Sequence, residues 1–171
     1  MKINRFSRAV VILIFLAFNI GCDQLSKTIV RHNMGNFNQY SYVYNHFTIR
    51  RVENTGAFLS LGDSLSGPLK VLLLNILPLL IVVSGLTFIL IKTGLDRMIL
   101  FGLILVIGGG AGNLYDRIVH GSVTDFMHIN FVIFQTGVFN VADLSITTGV
   151  IIMLLRGYIP RKPKEEVKNV A

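Results

Sequence analysis

Four apolar stretches decide most of what this chain can become. They run over about residues 8–30, 69–91, 98–113 and 141–158, each roughly the length a helix needs to cross a hydrocarbon layer. Backbone polar groups find no water there, so such segments must satisfy their hydrogen bonds internally, as helices. Hydrophobic residues at 52% and charged residues at 15% exceed and fall short of soluble norms respectively. The chain of 171 residues therefore reads as a single integral membrane domain, 1–171.

The net charge of +7 is placed at the edges of these stretches. Lys2, Arg5 and Arg8 open the chain, Lys92 and Arg97 flank a short loop, and Arg161, Lys162, Lys164 and Lys168 close it. Lys and Arg collect on the cytoplasmic side, so both termini and the 92–97 loop are expected inside. The 31–67 and 114–138 loops are then expected outside. The sequence lacks the interleaved aromatic and basic residues of an RNA-binding surface, so no nucleic-acid partner is expected. The basic, proline-containing tail over 159–171 is expected to be disordered.

Pro78 interrupts the second span, and Asn75 reads as an interhelical hydrogen bond or a site-lining group. Gly108-Gly109-Gly110-Ala111-Gly112 permits close helix contact, and no Gly-Lys-Ser/Thr follows to make a phosphate loop. Outside the spans, Tyr40–Tyr44 and Phe47–Arg50 alternate as short strands do. Leu59–Leu65 fits a short surface helix before Pro68. The start of the chain has a competing reading, because a basic opening, an apolar run and Ile20-Gly21-Cys22 resemble a lipoprotein signal peptide. Asn19 suits that reading poorly and three further spans follow, so an uncleaved helix is expected. With one cysteine there is no internal disulfide and no Cys-based metal site. The four His are scattered, without a His-Glu-x-x-His element.

The ionisable residues carry the chemistry. On the Lys/Arg topology, Asp23, Asn54, Asn113, Asp125, Asn140 and Asp143 all fall near the outer surface. Asp23 and Lys27 are four apart and share a helix face, where they can pair; Lys27 can also extend to the headgroups. Asp116 has Arg117 beside it as a counter-charge. Asn54-Thr55-Gly56 has the small, turn-prone character of backbone that approaches a ligand closely. Asp125 lies between apolar neighbours, and Asp143 opens an apolar helix with no nearby cation in sequence. Two such carboxylates brought together would share a proton, as an aspartic-protease dyad does when it activates a water. Intramembrane Asp also marks ion pathways. Here, however, the acids gather at one face and no inverted repeat is evident.

Five motifs give the pattern a family likeness: Asp23-Gln24-x-x-Lys27, Asn54-Thr55-Gly56-Ala57-Phe58, Gly109-x-x-Gly112-Asn113-Leu114-x-Asp116-Arg117, Val123-x-Asp125-Phe126 and Phe139-Asn140-x-Ala142-Asp143. In this order and spacing the chain resembles the bacterial lipoprotein signal peptidases (signal peptidase II). The resemblance implies an aspartic endopeptidase of the bacterial cytoplasmic membrane that needs no metal or cofactor. It implies diacylglyceryl-modified prolipoproteins as substrates, cut just before the lipidated cysteine, and contact with membrane lipid. It also implies inhibition by globomycin and action as a monomer. The implied fold is four transmembrane helices with a small β-rich cradle and a short surface helix outside the membrane. By the same likeness Asp125 and Asp143 are the catalytic pair. Asp23, Lys27, Asn54, Gly56, Asn113, Asp116, Arg117 and Asn140 bind substrate or orient the site. Thr124, Met127 and Leu144 stand where the family more often shows other residues.

Overall fold

The computed structural model describes residues 4–35, 38–56, 65, 67–131 and 133–159. The surface helix expected over 59–65, Ala57 and Phe58 of the second motif, and the tail beyond Ile159 fall outside the described residues, Leu65 excepted.

Four helices are long and apolar enough to cross a membrane: α1 Arg5–Asn33, α2 Gly67–Ile91, α3 Arg97–His120 and α4 Val141–Tyr158. Outward-facing Ile14, Phe18, Leu80, Ile81, Leu154 and Leu155 are all exposed. Apolar surface on that scale is stable only against another apolar phase. The helix ends are individually fixed. Asn4 caps α1 by accepting the Ser7 N–H, and Asp96 caps α3 by accepting that of Met98.

Pro78 acts on α2 through the turn before it. Proline has no N–H and its ring crowds the carbonyl four residues back. Here Leu72–Ile76 widens into a π-type turn just ahead of Pro78.

The third helix is longer than the span expected to end at Asn113. It continues to His120, because Asp116 is neutralised by Lys27 and Arg31 from α1 rather than by the headgroup region. Gly121, with φ 77°, then takes the left-handed conformation and ends the helix.

Helix α3 is the centre of the bundle and packs against each of the other three. Its glycines make this possible on separate faces. A Cβ at Gly108 would lie 2.5 Å from the Asn19 amide nitrogen, and one at Gly112 would lie 2.5 Å from a carboxylate oxygen of Asp23. On another face Gly109 meets the Ala142 carbonyl, and Gly102 and Gly149 bring α3 and α4 together. The apolar core between α1, α2 and α3 is built on Ile12, Leu16, Ile89, Ile104 and Ile107. Asn19, buried within the bundle, donates to the Leu105 carbonyl and accepts from Ser145.

At one end of the bundle Arg8 donates to the Lys92 carbonyl at 2.9 Å and Arg156 pairs with Asp96 at 2.9 Å. At the other end sits an antiparallel sheet, in the order β1 Gln39–Tyr42, β2 Phe47–Asn54, β3 Val123–Phe131 and β4 Phe134–Gln135. Residues 114–138 were expected as a loop, yet they contribute the last turns of α3 and two of these strands.

The register pairs Tyr40 with Ile49, Tyr42 with Phe47, Phe47 with Ile129, Ile49 with Met127, and Phe131 with Phe134. Cross-strand partners point to the same side. One face is therefore apolar, and the other carries Gln39, Ser41, Thr48, Arg50, His128 and Asn130. Continuing along β3, Asp125 lies on the apolar face, two residues from Met127. On the other face Phe126 packs on Val30 and Met34, which joins the sheet to the end of α1.

Candidate active site

Asp125 and Asp143 reach one cavity from two different elements. The cavity holds about 390 Å³ and is lined also by Asn54, Asn113, Arg117 and apolar residues of α2 and α4. Asp125 lies in β3 and is 3% exposed. Asp143 occupies the first turn of α4, where its carboxylate accepts the Asn140 N–H at 3.1 Å. The Asn140 side-chain oxygen in turn accepts the Asp143 N–H at 3.0 Å. This reciprocal cap sets both the start of the helix and the direction of its carboxylate.

Three asparagine amides hold the pair, and each has its orientation fixed by a group that can only donate. The Asn54 oxygen accepts the Gly56 N–H at 3.0 Å, which turns its nitrogen to Asp125 at 3.0 Å. The Asn140 oxygen is committed to the Asp143 N–H, so its nitrogen serves Asp125 at 2.6 Å and the Asn113 oxygen at 3.1 Å. The Asn113 oxygen also accepts from Lys27 at 2.8 Å, and its nitrogen then donates to Asp143 at 2.8 Å. Gly56 closes the ring, because its carbonyl accepts from Arg117 at 2.9 Å. Arg117 Nε is buried and has no hydrogen-bond partner among the described residues.

Burial pushes the Asp125 carboxyl up to about 6. The amides of Asn54 and Asn140 oppose the rise, and the neighbouring charge of Asp143 adds to it.

Behind the dyad lies a layer of buried charge. Lys27 pairs with Asp23 at 2.8 Å and with Asp116 at 2.9 Å, and all three side chains are inaccessible. Lys27 thus does not extend to the headgroups, because two carboxylates and an amide oxygen hold it inside. Asp23 is both an ion-pair member and a positioning group, since it also accepts the Ala142 N–H at 2.9 Å beside Asp143. Asp116 is not paired with Arg117. Adjacent residues on a helix diverge, so Asp116 faces α1, where Arg31 binds it at 2.8 Å, while Arg117 faces the cavity.

Sequence reasoning missed Arg31 and Glu53. Arg31 follows Asp23 and Lys27 at the same four-residue interval, which was the available signal. It donates to Thr124 at 2.8 Å, one residue before Asp125. Glu53, paired across strands with Thr124, accepts from Arg51, Ser122 and Thr124. Burial would push its carboxyl up, but those donors together hold it below its usual range. Asn75 was read as an interhelical bond or a site-lining group. It lines a smaller neighbouring cavity with Lys70 and Arg117. Among the described residues no group of three or more His, Cys, Asp or Glu is placed to hold a metal ion.

Four spans, a sheet on one end and two carboxylates in one cavity define a multi-pass membrane protein built around a paired-acid site. The family model described as Signal peptidase (SPase) II matches residues 13–159, and the chain belongs to that family. It is accordingly a peptidase. The lipoprotein signal peptidase of Streptococcus pneumoniae (strain ATCC BAA-255 / R6) is 32% identical over 148 residues, which cover 86% of this chain and 92% of that one. The lipoprotein signal peptidase of Borrelia duttonii (strain Ly) is 35% identical over 161 residues, covering 91% and 93%. A solved structure described as a bacterial membrane enzyme superposes with a TM-score of 0.77 at 26% identity, covering 91% of this chain and 94% of that one.

Proposed function

We propose that the chain removes signal peptides from diacylglyceryl-modified prolipoproteins, cutting before the lipidated cysteine, with Asp125 and Asp143 as its catalytic pair. The observation that carries this reading is the joint exposure of both carboxylates to one cavity, each held by asparagine amides of fixed orientation. One carboxylate, ionised, takes a proton from water. The other, protonated, polarises the scissile carbonyl, and a proton passes to the leaving amine. No covalent intermediate and no metal or cofactor enters. Asn54, Asn113, Asn140, Gly56 and Arg117 orient the dyad and the substrate backbone, and Asp23, Lys27 and Asp116 support them from behind.

The site stands at the outer face of the cytoplasmic membrane, with both termini inside. Support comes from the basic ends of the helices: Arg8, Lys92 and Arg156 cluster at the end of the bundle opposite the sheet. The enzyme acts as a monomer and in contact with membrane lipid.

The test is incubation of the purified protein with a diacylglyceryl-modified prolipoprotein, reading the N-terminus of the product. A new terminus at the lipidated cysteine, blocked by globomycin, is the expected result. Asp125→Asn and Asp143→Asn should each lower the rate by about a hundredfold or more. Cleavage at near wild-type rate by either variant would remove that residue from the dyad.

A further inference from the structure

The two carboxylates have unlike surroundings, and the difference leads back to Lys27. Its ammonium has donors and no acceptor: it donates to Asp23 at 2.8 Å and to the Asn113 oxygen at 2.8 Å, and Asp116 lies against it as an ion pair at 2.9 Å. Lys27 is 0% exposed, so no solvent substitutes for these partners. Only the oxygen of Asn113 can face it, which commits the amide nitrogen to Asp143. The other oxygen of Asp143 takes a backbone N–H, and the carboxylate stands in the first turn of α4, where free N–H groups favour negative charge. Asp125 lies on a strand, has no helix terminus of its own and, among the described residues, accepts from the side-chain amides of Asn54 and Asn140.

We infer that Lys27 is a positioning residue of the reaction: through the Asn113 amide it holds Asp143 as the ionised, water-activating carboxylate and leaves Asp125 as the acid. The inference rests on the peptidase reading above and assigns the two roles within it. The oxygen of water bonds to the scissile carbon as Asp143 takes one of its protons and Asp125 gives its own to the carbonyl oxygen. On collapse the C–N bond breaks, the amine takes the proton from Asp143, and a hydroxyl proton returns to Asp125. Both carboxyls end as they began.

The charged groups around Asp143 are Arg117 of α3 and Asp125 of β3 in the cavity wall. Behind Asn113 lies the cluster of Asp23, Lys27 and Arg31 on α1 with Asp116 on α3. The residues of α2 that line the cavity are uncharged. Losing the ammonium leaves the Asn113 oxygen held by the Asn140 amide alone, at 3.1 Å, which loosens the donation of its nitrogen to Asp143 and so disfavours the ionised form. The acid limb of kcat should then move upward by about one pH unit, with KM little changed because Lys27 touches no substrate.

Lys27→Met alone leaves buried Asp23 without a counter-charge, while Asp116 keeps Arg31, so the test is made in an Asp23→Asn background, which keeps the cluster neutral. Lys27→Met is compared there with and without Asn113→Ala, with folding followed by thermal unfolding. The expected result is a raised acid limb in the Asn113 enzyme and no further shift in the Asn113→Ala enzyme, the signature of one residue acting through another. An equal shift in both backgrounds, or no shift in a folded Asn113 enzyme, overturns the inference. Should the double variant not fold, Asn113→Asp with Lys27 intact presents only oxygen to Asp143 and must raise the limb; an unmoved limb overturns it equally. Near wild-type cleavage by Asp143→Asn would instead sink the dyad assignment on which the inference rests.

Discussion

Asp125 holds its proton up to about pH 6, so the folded state binds that proton more tightly than the unfolded chain does. Its contribution to stability is whole below about pH 4 and is lost as pH rises through 6. Two units at 1.4 kcal/mol each make that loss about 3 kcal/mol. Asp125→Asn removes the titration. Both Asp125 oxygens accept amide hydrogens, so the introduced NH2 meets a donor, and the variant should be the less stable protein at pH 4. Its melting temperature should gain on the wild type between pH 4 and 7, and a constant difference across that range would refute the account. Asp116→Asn acts elsewhere: it strips Lys27 and Arg31 of a shared, inaccessible partner and should destabilise by about 3–5 kcal/mol. Denaturation in detergent would show this directly. Asp125 and Asp143 were legible in the sequence because each carboxylate lies among apolar neighbours. The partner of Asp116 was not, because it lies across the bundle on α1, while the adjacent Arg117 diverges along the helix.

The spans themselves were plain as elements, because apolar length alone implies helix in a membrane. Where each ends was less plain. The third helix continues past Asn113 because its polar residues find partners on α1, and no local pattern announces a partner on another helix. Strand β3 was hidden for a related reason. Val123 to Phe131 alternates, but the face turned away from the cavity mixes Thr124, Phe126, His128 and Asn130, and the cavity-facing positions include Asp125. An acid on the apolar face broke the pattern that would have revealed the strand. The glycines of α3 read correctly as contact points, and their faces now separate their roles. A Cβ at Gly109 would press on the Ala142 carbonyl, one residue before Asp143, so Gly109→Ala should displace the first turn of α4. Overpacking of this kind costs about 1–3 kcal/mol. A Cβ at Gly102 would meet Met153 and the Gly149 carbonyl, far along α4 from the dyad. Gly109→Ala should therefore lose more activity per degree of lowered melting temperature than Gly102→Ala. Equal ratios in the two variants would disconnect the helix contact from the carboxylate.

At the scale of the whole molecule, Arg8, Lys92 and Arg156 collect at one end of the bundle, and the paired acids with their buried ion pairs lie at the other. Arg8 reaches across to the Lys92 carbonyl and Arg156 to Asp96, so the ends of α1, α2, α3 and α4 that carry Lys and Arg meet on one side. The dyad and the sheet occupy the other. If the basic end faces the cytoplasm, the dyad meets substrates at the outer surface, on the side of the sheet. Single cysteines test this, since the chain has only Cys22, which can be replaced by Ala first. Cysteines at Asn38 and Gln135, both exposed beside the sheet, should react with a membrane-impermeant maleimide in intact cells. Cysteines at Lys92 and Lys164 should react only after the membrane is opened. The reverse labelling would place the carboxylates on the cytoplasmic side, away from exported substrates, and would remove the orientation on which the proposed cleavage depends.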